Sequence, residues 1–368
     1  MLQSSEPRGP AVFDVSKGDV ALRRALQQRL LSQTKPPGSL GVLEEIGLRL
    51  GLLQRTLTPK VERMRICVFA GSHGVAREGV SAYPAEVTGQ MVANFLNGGA
   101  AVCVLARAAG ASLHIVDVGV DADFPENLLK HPSFFSRRIK RGTESFVTAP
   151  AMLPDECAAA LEVGREQARS AAADSIDALG IGEMGIGNST SAAALCAALL
   201  PADAASVTGL GTGVDGEGLV RKLGAIRAGL ALHACEATGP EAALHWLAAV
   251  GGLEIAALTG CILEAARLRL PIVVDGFIAT AAALVAARLE PGCLACCFFA
   301  HQSTEAGHLA VLGALEVRPM HHLEMRLGEA SGAALALPLL RAAARLLTEM
   351  ATFEAAGVSG APIAPRLL

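Results

Sequence analysis

Along the chain, short apolar runs alternate with longer stretches whose apolar residues recur at helical spacing. Residues 64–70 (MRICVFA), 113–119 (LHIVDVG), 175–182 (SIDALGIG), 206–212 (SVTGLGT), 271–276 (PIVVDG) and 294–300 (LACCFFA) read as strands buried on both faces, because their apolar positions run on without polar alternation. Between them, AEVTGQMVANFLNGGAAVCVLARAAG, STSAAALCAALL, GLVRKLGAIRAGLALHACEA, FIATAAALVAARL and TEAGHLAVLGAL read as helices. Strand and helix in such alternation imply right-handed crossovers, and so an α/β fold: a Rossmann-like parallel sheet of about six strands flanked by helices. Nearly every predicted strand ends in glycine or another small residue and then polar groups: GSHG, DVGVD, GIGE, GTGVD, DGF, AHQS. Ligand sites of such sheets lie at the carboxyl ends of the strands, so these endings predict one shared mouth. The outer segments differ. Residues 17–58 hold helical stretches split by KPPGSLG, and the chain from about Ala333 is again helical. We therefore expect a large α/β domain over 61–332 and a small, discontinuous helical domain from 1–60 plus 333–368. The first dozen residues and the tail APIAPRLL read as disordered.

Composition narrows the class. Hydrophobic residues make up 52% and charged residues 18% of the 368, which implies extensive burial, including a subunit interface. The longest apolar runs, such as Gly276 to Ala287, are shorter than the roughly 20 residues a bilayer needs, so no membrane span is expected. The opening MLQSSEPRGPAVFDVSK lacks the apolar core of a secretory signal. Nine cysteines, an odd number in mainly apolar segments, indicate buried thiols in a reducing cytoplasm. Cys293 and Cys296 form a C-x-x-C, but it runs into a strand and no second pair completes a zinc set, so neither metal nor cofactor is expected. A net charge of −4 and one isolated basic run, Arg137 to Arg141, give no reason to expect nucleic acid.

Candidate chemistry concentrates in the glycine-rich turns. RLGEASGAAL, Arg326 to Leu335, puts Glu329 among residues with almost no side chain, just ahead of an apolar helix. Small residues let a ligand approach closely; equally, an acid near a helix N-terminus is favoured by the helix dipole alone. GIGEMG, Gly180 to Gly185, matches the dinucleotide pattern G-x-G-x-x-G, and GTGVDG, Gly211 to Gly216, repeats it. Against a dinucleotide, Glu183 inside the loop would repel a pyrophosphate, and the next predicted strand does not end in the acid that binds a ribose hydroxyl. Tight strand-to-helix turns alone account for the glycines. The preferred reading is that backbone N–H groups of GEMGIGNST hold one phosphate while Glu183 faces a sugar or an amine. Lys222 follows the second glycine loop on what reads as a solvated helix face, with a phosphate contact as the alternative. Ser303 reads as an N-cap that can also donate to a phosphate. His301 and His308 lack metal spacing and read as structural.

Together these residues resemble the nicotinate-nucleotide–dimethylbenzimidazole phosphoribosyltransferase family of cobalamin lower-ligand synthesis. The resemblance runs from about Thr34 to Ala344, on KPPGSLG, HGVAREGVSAYPAEVTGQMVANF, GIGEMGIGNSTSAAAL, GTGVDGEGL, VVDGFIATAAALVA, STEAGH and MRLGEASGAAL. It implies a homodimer that moves the ribosyl phosphate of nicotinate mononucleotide to dimethylbenzimidazole or a related base, giving α-ribazole phosphate and nicotinate. By the family's motifs Glu329 is the general base and Glu183 the second acid. Gly185, Lys222 and Ser303 meet the phosphate, and Tyr83, Gln90, Met91 and Leu327 form the base pocket. Two positions depart from the family pattern. Ser72 stands where aspartate is usual, and Ala330 stands where a glycine usually follows the base, at a strain cost of order 1 kcal/mol if φ is positive there. The rival readings are a NAD-dependent oxidoreductase, on GIGEMG, and a nucleotide- or base-binding protein without turnover, on Ser72 and Ala330.

Overall fold

The structure, a computed structural model, describes residues 20–200 and 202–359; the first dozen residues and APIAPRLL, for which disorder is expected from sequence, lie outside the described residues. The described chain divides into two compact units, one of residues 63–337 and one of 20–62 with 338–359.

The larger unit is built on six strands: β1 Met64–Gly71, β2 Ser112–Gly119, β3 Phe134–Ser136, β4 Ala178–Met184, β5 Ile272–Val274 and β6 Cys297–Phe299. All pair in parallel, in the order β3-β2-β1-β4-β5-β6. Every residue of β1, β4, β5 and β6 is buried, which is why their apolar runs show no alternation. The chain reverses its direction of travel across the sheet between β1 and β4, so the crevice for a ligand lies at the carboxyl end of that pair.

Three expectations are corrected. Residues 206–212 are not a strand: Ala204–Val207 is a short helix, and a turn with Gly211 at φ 56° and Gly213 at φ 97° follows. Left-handed glycines cannot continue an extended run, and the turn's polar groups are used locally, Gly209 O accepting from Lys222 Nζ at 3.1 Å. The sixth strand is β3, a three-residue edge strand too short to stand out as an apolar run. The strand expected at 175–182 lies further along, so Gly180, Gly182 and Glu183 belong to β4 itself, not to a loop. Lastly, Val87–Ala109, 23 residues with an 18-residue stretch of mean hydropathy 1.3, is long and apolar enough to cross a bilayer. A turn at residues 97–100, with Gly98 at φ 76°, breaks it into helices of 10 and 9 residues, each too short to span.

Two helices of the larger unit meet backbone to backbone. A Cβ on Gly164 of helix Pro154–Ala173 would stand 1.8 Å from Ala257 O of helix Leu253–Leu268, and one on Gly260 would stand 1.9 Å from Leu161 O. Glycine is required at both positions because nothing else fits. All nine cysteines are free thiols and eight are buried; among the described residues no group of three or more His, Cys, Asp or Glu is placed to hold a metal.

In the smaller unit, helices Val20–Ser32 and Val42–Gln54 pack with the end of helix Ser331–Glu349 around Leu26, Leu30, Leu52 and Leu347. Arg29 donates to the carbonyls of Leu347, Thr348 and Met350, satisfying groups that a helix C-terminus leaves open. Within KPPGSLG, Lys35 pairs with Glu44 at 2.8 Å.

Gly164→Ala is expected to lower unfolding stability by about 3 kcal/mol, since the helices must separate for one methyl. Urea denaturation reads this directly; a change within about 0.5 kcal/mol would contradict the backbone contact.

Candidate active site

Beyond the carboxyl ends of β4, β5 and β6 lies a cavity of about 680 Å³. Glu183 and Gly185 enter its wall from β4 and the turn after it, Gly276 and Phe277 from the turn after β5, and His301 and Ser303 from the residues after β6. Tyr83, Val87 and Met91 come from the helix Val87–Leu96 and the residues before it, and Leu327, Gly328 and Glu329 close the remaining side.

At one end stand two buried acids. Glu183 is 5% and Glu329 6% exposed. Glu329 forms no ion pair among the described residues, and its Oε2 has no hydrogen-bond partner. Burial alone pushes its carboxyl up from 4.5 to about 7. Glu183 is raised further, first by burial and then by the charges of Glu254, Asp275 and Glu329, against one hydrogen bond donated by Asn188 Nδ2. The two carboxyls therefore titrate in order. Glu329 ionises first, facing a neutral Glu183, and its charge then holds the proton on Glu183.

The backbone that carries Glu329 is strained. Gly328, Glu329 and Ala330 have φ of 81°, 61° and 59°, three left-handed residues in a row. For Glu329 and Ala330 this costs about 1–2 kcal/mol each. The turn is held from beneath. Glu329 N–H donates to Glu183 O at 3.2 Å, and Ser331 N–H and Oγ both donate to Gly328 O, at 3.0 and 2.7 Å. Asp275, at the end of β5, accepts from Ala333 N–H at 2.9 Å in the first turn of the helix that follows. A Cβ on Gly182 would lie 2.2 Å from Ala330 N. Gly182 thus lets the Glu329 turn rest directly on β4, which a pyrophosphate-binding loop would not need.

Donor groups share the wall. Lys222, read from sequence as a solvated helix residue, is fully buried in helix Gly216–Leu232, where burial lowers it to about 8 and the charge of Glu305 partly restores it. Its Nζ donates to Ser189 Oγ at 2.9 Å, and Ser189 is on the cavity wall. Ser303 is not the N-cap of the helix after β6, which begins at Ala306 with Glu305 as cap. Instead Ser303 N–H donates to His308 Nδ1 at 2.8 Å, so neutral His308 carries its proton on Nε2 and donates to Thr280 Oγ1 at 3.0 Å. Ser303 Oγ accepts from Glu305 N–H at 3.3 Å, which leaves its hydroxyl proton aimed elsewhere.

The structure thus brings Tyr83, Met91, Leu327, Glu183 and Glu329 to one wall system with Gly185 and Ser303. Lys222 stands one side chain behind it, and Gln90 is exposed and outside the wall. Tyr83 and Leu327 are 55% and 56% exposed, at the rim. Ser72, the departure from the family pattern, lies away from the cavity, its Oγ accepting from Asp121 N–H at 3.0 Å. Asn188, Ser189, Glu305 and Arg326 are wall residues that the sequence reading passed over, although each falls within or next to a quoted motif.

Residues 15–358 match the family model described as phosphoribosyltransferase. The chain belongs to this family. Two relatives named nicotinate-nucleotide–dimethylbenzimidazole phosphoribosyltransferase illustrate the likeness. That of Variovorax paradoxus is 49% identical over 350 residues, 95% of this chain and 97% of the relative. That of Geobacter sulfurreducens is 48% identical over 349 residues, again 95% and 97%. The crystal structure of the Thermus thermophilus enzyme of the same name has a TM-score of 0.87 at 46% identity, covering 93% of this chain and 100% of that one. A phosphoribosyltransferase moves a pentosyl phosphate group.

An acid raised from 4.5 to about 7 holds its proton more tightly when folded, so its contribution to stability is full below about pH 4.5 and lost as the pH rises through 7. Glu329→Gln is therefore expected to be more stable than the parent at pH 8, by on the order of 2 kcal/mol, with no gain at about pH 4.5. Melting curves at the two pH values test this; an equal shift at both would contradict a buried, uncompensated carboxyl.

Proposed function

We propose that this phosphoribosyltransferase moves the ribosyl phosphate of nicotinate mononucleotide to a ring nitrogen of dimethylbenzimidazole or a similar flat heterocycle. The products are α-ribazole phosphate and nicotinate. The observation that carries the reading is Glu329, a buried, unpaired carboxyl on the wall that also holds Tyr83, Met91, Leu327 and the donors Gly185, Ser189 and Ser303.

The chemistry follows from charge. The pyridinium nitrogen of the nucleotide is positive and leaves neutral, so departure of nicotinate needs no acid. The incoming benzimidazole becomes cationic as its nitrogen attacks the anomeric carbon, unless its other nitrogen loses a proton. Glu329, with a carboxyl near 7, takes that proton at neutral pH, an effect typically worth about 10²–10⁴ in rate. Glu183, still protonated at that point, orients a sugar hydroxyl through the carboxyl that Asn188 holds. Lys222, Ser189, Ser303 and Gly185 grip the phosphate, which keeps the anomeric carbon in register and lowers the entropic cost of attack. Apolar groups at the rim limit the water that would otherwise intercept an oxocarbenium-like centre. In this reading the enzyme works as a cytoplasmic homodimer without a cofactor, binds neither nucleic acid nor membrane, and its helical unit forms a separate small domain. A NAD-dependent reaction is disfavoured because Gly180 and Gly182 lie within β4, where Gly182 lets the Glu329 turn rest against the strand.

Incubation with nicotinate mononucleotide and a panel of heterocyclic bases, read as nicotinate release, tests the reading; release with no base of the panel would refute it. Glu329→Gln is expected to cut turnover at least about 100-fold while mononucleotide binding persists. Lys222→Ala is expected to raise the mononucleotide KM far more than it lowers kcat. Steady-state kinetics separate these two patterns, and the reverse outcome would sink both assignments.

A further inference from the structure

Arg326 begins the segment that carries Leu327 and Glu329, and neither end of the cavity has yet been assigned its charge. Its position is set from two sides. Nη1 donates to Gly211 O at 3.3 Å. One residue earlier, Met325 O accepts from Thr304 N–H at 3.2 Å, which ties the segment to the residue after Ser303. Gly211 in turn touches the lysine: a Cβ there would stand 2.9 Å from Lys222 Nζ. The guanidinium therefore lies beside Lys222 Nζ and Ser189 Oγ, by the Gly211 turn, whose own N–H lies 3.4 Å from Glu305 Oε2. It is exposed and forms no ion pair among the described residues, and Arg326 is the one lysine or arginine found there on the cavity wall.

Charge balance gives that guanidinium a task. The wall carries three carboxyl groups, those of Glu183, Glu305 and Glu329. The nearest other cation, Lys222, already faces Glu305, and two of its three N–H bonds are committed to Ser189 Oγ and Gly209 O. A phosphate monoester brings a charge of about −1.5 to −2 at neutral pH. One ammonium so engaged leaves most of it unbalanced. Arginine has five donors in a planar fork that fits phosphate oxygens, and Arg326 commits one of them to Gly211.

We propose that Arg326 is a second cationic ligand of the substrate's phosphate, and that this contact seats the segment Arg326–Glu329 across the cavity. The proposal rests on the phosphoribosyl-transfer reading above. Three residues beyond the guanidinium, Glu329 N–H is already held by Glu183 O at 3.2 Å, so the segment joins the Gly211 turn to the end of β4. Phosphate binding energy is thereby used to hold the base in place, so that contacts remote from the reacting centre lower its barrier.

The test compares the parent with Arg326→Ala and Arg326→Lys in two assays. In calorimetric titration with inorganic phosphate, Arg326→Ala is expected to weaken binding at least about tenfold, with Arg326→Lys between the two. In nicotinate release, kcat/KM for nicotinate mononucleotide should fall roughly 10- to 100-fold in Arg326→Ala, partly restored by added guanidinium ion. That for nicotinate riboside, which has no phosphate, should fall less than about fivefold. Equal losses on both substrates, or unchanged phosphate titration, would overturn the proposal and leave Arg326 as a brace for the Gly211 turn. If the parent itself releases no nicotinate, the functional reading fails, and the phosphate titration alone still decides whether Arg326 is an anion ligand.

Discussion

The site depends on carboxyl groups kept out of water without a lysine or arginine to pair with. Glu183, Glu254, Asp275 and Glu329 are all at most 6% exposed, and no basic side chain other than histidine neutralises any of them among the described residues. Burial raises Glu329, Asp275 and Glu183, and for Glu183 the charges of Glu254, Asp275 and Glu329 add to it. The result is a graded set: Glu329 and Asp275 near 7, Glu183 well above the usual carboxylate range. An acid near 7 is matched to taking a proton from a heterocycle at neutral pH, whereas a salt-bridged glutamate would stay ionised but be a poor base. The same burial that tunes the group lowers stability.

That loss is carried by a scaffold in which glycines replace side chains at points of backbone contact. Gly182 brings β4 against the turn Gly328–Glu329–Ala330, and Asp275 receives the first amides of the helix after it. Two non-glycine residues in the left-handed region are retained because the surrounding hydrogen bonds leave them no alternative. Ala330, where the family pattern usually has glycine, adopts that region and is fully buried, so the strain is accepted without moving Glu329. Ser72 matters less than its sequence position suggests, since its hydroxyl is turned toward Asp121 and not toward the cavity.

How far the site could be read from sequence varied by residue for identifiable reasons. Glu329 was legible because an acid amid Gly, Ala and Ser has nothing nearby in sequence to pair with. Lys222 was misjudged: helical periodicity places it among polar neighbours, and only the packing of the 204–214 turn over it removes it from water. Glu183 reads as a loop residue because G-x-G-x-x-G looks the same whether its glycines turn the chain or let another backbone pass; within β4, Gly182 does the latter. Gln90 and Met91 are adjacent in sequence, yet only the second reaches the wall, since successive helix residues point about 100° apart.

By itself the sequence determined the α/β class, the parallel sheet and the family, because continuous apolar runs and ordered motifs survive without knowledge of contacts. It also singled out glycine-rich turns that the fold brings to the cavity wall. It did not determine which run would become the sixth strand, since β3 is three residues held at the edge by β2 while SVTGLGT is bent by left-handed glycines. Nor did it determine charge states. Those come first from burial and then, for Glu183, from the fields of Glu254, Asp275 and Glu329, all of which are set only when the chain is folded.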